Sequence, residues 1–210
     1  MTLSFCTCAS LPYYRNAMLH NFPYKILLAS QSPRRKELLA GLDVAFTTFV
    51  KKGIDEDYPD DMPAHEVAAY LSQKKAEAYQ QDISEGVLII TADTVVIQGN
   101  RILEKPKDKD EAKEMIAHLS GHSHQVITGV TLTTKEKKHT FSSLTEVRFA
   151  TLTEDEIDYY IEKYEPYDKA GAYGIQEWIG YIGVEHIEGS YFNVMGLPVQ
   201  QLYTALKAMV

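Results

Sequence analysis

Ile26-Leu27-Leu28-Ala29-Ser30-Gln31-Ser32-Pro33-Arg34-Arg35-Lys36-Glu37-Leu38-Leu39 hands a strand over to a helix in one continuous stretch. Ile26 to Ala29 is a short apolar run of the kind that fills a buried strand. Pro33 behind Ser32 reads as a first-turn proline after an N-cap serine, and Leu38-Leu39 begin the helix's apolar face. A helix start leaves backbone N–H groups unpaired and carries a partial positive charge, which favours phosphate. Arg34 and Arg35 add planar forks that hold phosphate oxygens bidentately. A capped helix with two solvated arginines would read the same way, so this stretch places a strand and a helix and leaves a ligand to be decided elsewhere.

Outward from it, strands and helices alternate. Val44 to Val50 reads as a strand, Pro63 to Gln80 as a helix with Val67 and Leu71 inward, and Val87 to Ile97 as an apolar strand. Asn100 turns that strand into a short partner, Ile102-Leu103. Asp108 opens a helix to Ser120, and two Thr/Val-rich strands, His124 to Thr134 and His139 to Ala150, flank a charged hairpin tip. Thr153-Glu154-Asp155-Glu156 has the form of a capping box before a helix to Tyr164. A loop-rich third follows, with a strand near Trp178 to Ile187 and a closing helix after Gly196-Leu197-Pro198. Helix-linked strands together with hairpins predict an α/β fold: a mixed central sheet with helices packed on it.

A chain of 210 residues suits one domain, or one sheet divided into two lobes around a cleft. A net charge of −8 excludes the broad basic stripe of a non-specific nucleic-acid binder but leaves room for a local phosphate pocket. No apolar run approaches the ~20 residues of a membrane span. The two cysteines, Cys6 and Cys8, are too close to pair without strain and exclude a disulfide-built secreted domain, so a reducing cytoplasm is expected. The first residues lack the basic start of a signal peptide. Residues 1 to 23 show no periodicity and are expected to be a dispensable extension, with residues 24–210 as the domain and Met18 as a second candidate start.

Asp93 interrupts the apolar run Leu88 to Ile97, where a carboxylate needs a metal, a cation or several donors to stay ionised. A strand bulge satisfied by backbone groups is the structural alternative. Asp55-Glu56 offers further carboxylates for a hard cation such as magnesium. Lys75 on a helix and Lys105 before Pro106 offer point charges for phosphate, although each alone describes a surface lysine. Asp168-Lys169-Ala170-Gly171-Ala172-Tyr173-Gly174-Ile175-Gln176 is a glycine-bearing loop ending in an amide that can meet a base edge. His122 and His124 lack a third ligand at zinc spacing and read as a satisfied turn, and Trp178 reads as a core aromatic.

Taken together, Ser30-x-Ser32-Pro33-Arg34-Arg35, Ala92-Asp93-Thr94, Lys105-Pro106, Thr128-Gly129-Val130, Asp168 to Gln176 and Gly189-Ser190 to Pro198 resemble the Maf family of nucleoside triphosphate pyrophosphatases, in order and spacing from about Lys25 onward. The loop resembles that of the branch acting on dTTP and UTP, with one departure at Glu177, where that branch often has glycine. The resemblance implies a Maf/Ham1-like elongated sheet with two lobes around a nucleotide cleft. It implies hydrolysis of dTTP and UTP to monophosphate and pyrophosphate with a divalent metal (Mg2+ or Mn2+), Asp93 as catalytic base, and Asp93 and Glu56 as metal ligands. Ser30, Arg34, Arg35, Glu56, Lys75, Thr94, Lys105 and Gln176 fall on its substrate-binding positions, with Arg34, Thr94 and Gln176 tied to substrate choice. A hydrolase of modified nucleotides and a non-enzymatic nucleotide-binding regulator of cell division are the alternatives, and a homodimer is an admissible assembly.

Overall fold

The structure, a computed structural model, describes residues 22–210. The reading of residues 1–21, including Cys6, Cys8 and Met18, lies outside the described residues. Phe22 packs its ring 5.6 Å from that of Tyr24 and against the neighbouring core.

The elements are β1 (Lys25–Leu28), α1 (Pro33–Ala40), β2 (Phe46–Thr48), α2 (Ala64–Ala78), β3 (Val87–Gln98), β4 (Arg101–Leu103), α3 (Lys109–Leu119), β5 (Ser123–Thr133), β6 (Lys138–Phe149), α4 (Glu154–Tyr164), α5 (Trp178–Gly183), β7 (Val184–Glu188), α6 (Tyr191–Val194) and α7 (Val199–Ala208). They form the expected mixed sheet, in the order β2-β1-β3-β5-β6-β7, with β4 also on β3. The β1–β2 and β1–β3 pairs are parallel; the others are antiparallel.

The long strand β3 makes two lobes out of this one sheet. Its edge opposite β5 is shared: β1 runs beside residues 87–90 and β4 beside residues 96–98. Residues 91–95 have no strand neighbour on that edge, and there the lobes part. Leu88, Ile90 and Ala92 face a core built with α1 and α7, while Val96 faces a second core built with α3 and α4. Val95 and Ile97, on the other face, meet Val67 and Leu71 of α2. This follows from strand alternation, since neighbouring residues point to opposite faces.

Local chemistry sets most boundaries as the sequence implies. Ser32 caps α1 with Pro33 in its first turn, Asp108 caps α3, and Thr153 with Glu156 forms the full capping box of α4. The sequence reading fails between Trp178 and Ile187. Trp178–Gly183 is a short helix, and only Val184–Glu188 is a strand, paired with β6 at the sheet edge. The Trp178 ring packs edge-on to Tyr159 of α4 at 4.8 Å, so a helix that lays the indole across α4 wins over the β propensity of Ile and Tyr. His124 is also no turn residue. It is buried in β5, with its Nε2 2.7 Å from the Tyr173 hydroxyl.

Candidate active site

At the unpaired middle of β3 the lobes enclose a cleft of about 690 Å³. The residues implied as catalytic or substrate-binding all line it, whereas Asp55 does not and pairs instead with Lys74 at 2.7 Å: Ser30, Arg34 and Arg35 come from the β1–α1 turn, Glu56 from the acidic turn, and Lys75 from α2. Asp93 and Thr94 come from β3, Lys105 from the segment after β4, and Gln176 from the glycine loop. Parallel strands open their C-terminal ends onto crevices where ligands bind, and β1 and β2 both do so here.

Asp93 faces α2 and is 9% exposed. Its carboxylate accepts a hydrogen bond from Lys75 Nζ, which also lies 3.1 Å from Glu56 Oε1. Burial raises the Glu56 pKa, but Lys75, Lys105 and Arg35 outweigh it and hold the carboxyl below the usual value. α2 reaches this far because β5 carries Gly129 opposite Asp93. A Cβ there would lie 2.3 Å from the Ala68 carbonyl oxygen. Thr91 completes the seating by donating to the Ser72 carbonyl at 2.7 Å.

Arg35 does something the sequence reading did not assign to it. Its Nε donates to the Gly196 carbonyl at 2.8 Å, one terminal nitrogen to the Ala92 carbonyl at 2.9 Å, and the other to Thr94 Oγ1 at 3.1 Å. Ala92 has a free carbonyl because β3 lacks a neighbour there. The guanidinium therefore ties α1, β3 and the segment before α7 together while its charge stays at the cleft wall. Burial lowers its pKa and Asp93 opposes that shift, but an arginine stays protonated. Thr94 is equally engaged, since its hydroxyl also pairs with that of Thr128 at 2.8 Å. Ser30 Oγ accepts from the Ser32 N–H at 3.2 Å and shapes the turn.

Arg34 crosses the cleft, with one terminal nitrogen 3.3 Å from Asp168 Oδ2. Partial burial raises the Asp168 pKa, but Lys169 and Arg34 outweigh it. Lys169 is nearly buried and binds Asp168 Oδ1 at 2.8 Å and Glu177 Oε1 at 3.2 Å. Lys51, Lys52 and Lys169 also line the cleft and were not singled out. The signal for the first two was a Lys-Lys pair after β2, matching the Arg-Arg pair after β1. Lys51 is committed to the wall, donating to the Ala78 carbonyl at 2.9 Å and pairing with Asp82 at 2.5 Å.

The sequence profile described as Maf-like protein matches residues 25–209. The chain belongs to the Maf family. A dTTP/UTP pyrophosphatase of Phocaeicola vulgatus is 55% identical over 193 residues, covering 91% of this chain and all of that protein (100%). Proteins of the same name from Parabacteroides distasonis and Cytophaga hutchinsonii are 54% and 47% identical, covering 90% and 91% of this chain and 99% and 86% of their own length. Among solved structures, the Ham1 protein of Staphylococcus aureus matches with a TM-score of 0.51 at 13% identity, over 89% of this chain and 100% of that one, a likeness of fold alone. Within this Maf chain the Gly-Leu-Pro segment has a visible purpose, because the Gly196 carbonyl holds Arg35. Among the described residues no helix is long and apolar enough to cross a membrane.

Proposed function

We propose that this Maf protein hydrolyses dTTP and UTP at the α–β phosphoanhydride, yielding the nucleoside monophosphate and pyrophosphate. The observation that carries the reading is the Asp93 carboxylate, fixed by Lys75 at the open edge of β3 inside a cation-lined cleft. A site that only bound nucleotide would gain nothing from an acidic group beside the phosphates. The dTTP/UTP pyrophosphatases at 47–55% identity support the substrate.

Asp93 orients a water toward the α-phosphorus and accepts its proton as the new P–O bond forms. The bond to the bridging oxygen breaks, and pyrophosphate leaves with the electron pair. Arg34 and Lys105, with the fixed charge of Arg35, neutralise the leaving group, so the work is chiefly positioning and electrostatics. Gln176 meets the base: its amide can donate to O4 and accept from N3–H of uracil or thymine.

Among the described residues no group of three or more His, Cys, Asp or Glu side chains forms a metal cage. Asp93 and Glu56 converge on the single point now held by Lys75 Nζ. Two carboxylates suit magnesium or manganese, which keep waters and take the remaining oxygens from substrate phosphates. Bound by these two, the metal would polarise the phosphate oxygens. The reading implies a nucleoside triphosphate partner in a reducing cytoplasm, with neither nucleic acid nor membrane as ligand.

The test is pyrophosphate release across dTTP, UTP, CTP and GTP, with and without magnesium or manganese, in wild type and Asp93→Asn. Hydrolysis led by dTTP and UTP and reduced about 10²–10⁴-fold in Asp93→Asn is expected. No hydrolysis by the wild type, or a variant within twofold of it, overturns the reading.

A further inference from the structure

We propose that the Thr94 hydroxyl accepts a hydrogen bond from the 3′-hydroxyl of the substrate's sugar, and that the buried Thr128 makes it an acceptor; this rests on the pyrimidine triphosphate reading above. A hydroxyl has one hydrogen to donate and two lone pairs that accept. What a threonine offers a ligand therefore depends on where its single hydrogen is already committed.

Three links commit the hydrogen of Thr94. One terminal nitrogen of Arg35 donates to Thr94 Oγ1 at 3.1 Å, and the Thr94 and Thr128 hydroxyls lie 2.8 Å apart. Thr128 Oγ1 lies 3.0 Å from the Asn193 carbonyl oxygen, which can only accept. Thr128 must spend its hydrogen there, so the hydrogen between the two threonines belongs to Thr94. The chain of donors runs one way, from the guanidinium to the carbonyl. Thr94 keeps one lone pair, and no hydrogen, for the cleft.

The far end of the chain is as firmly held as the near one. Asn193 is fully buried, and its Nδ2 donates to the Val126 carbonyl and to Thr145 Oγ1, each at 3.0 Å. Its carbonyl also accepts the Gly196 N–H at 2.9 Å, and the Gly196 carbonyl in turn receives Arg35 Nε. Thr128 is fully buried and lies directly opposite Thr94 in the β3–β5 register. Thr94 lines the cleft and Thr128 does not, so Thr128 is a positioning residue that acts on the substrate through Thr94.

The place of this acceptor along the cleft selects its partner. A phosphate oxygen also accepts, and a bare lone pair repels it, so Thr94 faces the nucleoside. Asp93 meets the α-phosphorus in this reading. Beyond Thr94 the strand continues to Val96, which shares a core with Ile175, the neighbour of Gln176. Thr94 thus stands between the residues that meet the phosphate and the base, as the sugar stands between those groups in a nucleotide. The 3′-hydroxyl is the donor that the sugars of dTTP and UTP share.

The experiment measures kcat/KM for dTTP and for 3′-deoxy-3′-fluorothymidine triphosphate, with Tm, in wild type, Thr128→Val, Thr128→Ser and Thr94→Val. Fluorine replaces the hydroxyl at similar size but cannot donate, so it sets one acceptor against another. Wild type is expected to prefer dTTP about tenfold. Thr128→Val keeps the shape but removes the acceptor, which frees the Thr94 hydrogen to turn toward the fluorine, and the preference is expected to fall toward unity. Thr94→Val is expected to lose it as well, whereas Thr128→Ser, which retains the hydroxyl, keeps it. A Thr128 that only supported the fold would lower both substrates together and leave their ratio alone. Equal use of the two substrates by wild type, an undiminished preference in Thr128→Val or Thr94→Val, or its loss in Thr128→Ser overturns the inference. Should Thr128→Val fail to fold, Thr128→Ala is read by the same criterion. A wild type that hydrolyses neither dTTP nor UTP overturns the function itself, and one that hydrolyses dTTP without preferring it to the fluoro analogue overturns this inference alone.

Discussion

The Lys75 ammonium hydrogen-bonds Asp93 and lies 3.1 Å from Glu56 Oε1, so one cation from α2 serves carboxylates from two other elements. Its removal leaves two acidic groups facing each other in a partly dry cleft. Glu56, now held below the ordinary carboxylate range with Lys75 as the foremost cation on it, then protonates at higher pH. Lys75→Met is expected to lower kcat/KM for dTTP by about 10²-fold or more and to move the acid limb of the pH–rate profile upward. A profile that falls in height without that movement would show Lys75 acting on the phosphates alone.

Arg34 and Asp168 form the cross-cleft pair, and their exposures of 22% and 59% predict unequal roles. An exposed ion pair is worth about 0–1 kcal/mol, so Asp168→Asn is expected to change KM for dTTP less than about fivefold. Arg34 is the phosphate fork in this reading, so Arg34→Ala should raise KM more than Asp168→Asn does, and Arg34→Lys should restore it only in part. Steady-state kinetics of the three variants decide the matter. Full recovery in Arg34→Lys would reduce its role to charge.

What the sequence disclosed about this site follows from where the chemistry was local. Ser32-Pro33, Asp108 and Thr153-Glu156 are capping signals complete within one turn, and each sets a helix start. Asp93 stood out because a carboxylate in an apolar run contradicts its surroundings. The wall contacts of Arg35 leave no mark in the sequence because its partners, the Gly196 and Ala92 carbonyls, are distant backbone groups with no side-chain signal. The gap in β3 pairing that frees Ala92 exists only once β1 and β4 share an edge. The helix at Trp178 was hidden for a similar reason, since the edge-on contact with Tyr159 of α4 that favours it is tertiary.

Gly129 gives α2 its close approach, so it should be nearly irreplaceable. A Cβ there would sit 2.3 Å from the Ala68 carbonyl oxygen and 2.5 Å from the Ala69 nitrogen, backbone that cannot rotate away. Gly129→Ala is expected to cost at least the ~1–3 kcal/mol typical of overpacking and to draw Lys75 away from Asp93, so activity falls even where the protein stays folded. Gly183→Ala is the control, because its Cβ would meet nothing nearer than Leu152 Cδ2 at 3.4 Å, an ordinary contact with the end of a side chain. Thermal melts with dTTP kinetics on both variants check it, and equal effects would remove the special status of Gly129.

His124 makes stability depend on acidity. Its ring lies 5.1 Å from that of Phe149 and 5.4 Å from that of Tyr173, and its Nδ1 has no partner among the described residues. Burial pushes its pKa from 6.5 down to about 4. The folded chain therefore keeps the ring neutral where the unfolded chain already takes up a proton. With more protons bound in the unfolded state, stability falls as pH drops from 6.5 toward 4, by about 3 kcal/mol in full. His124→Gln retains a polar group toward Tyr173 without a titrating ring, so it should lose this part of the slope while the carboxylates keep theirs. Urea unfolding at pH 7, 6, 5 and 4.5 compares the two proteins directly. The difference in ΔG between them is expected to shift in favour of the variant as the pH falls, and a difference constant with pH would show that His124 is protonated in the folded chain after all.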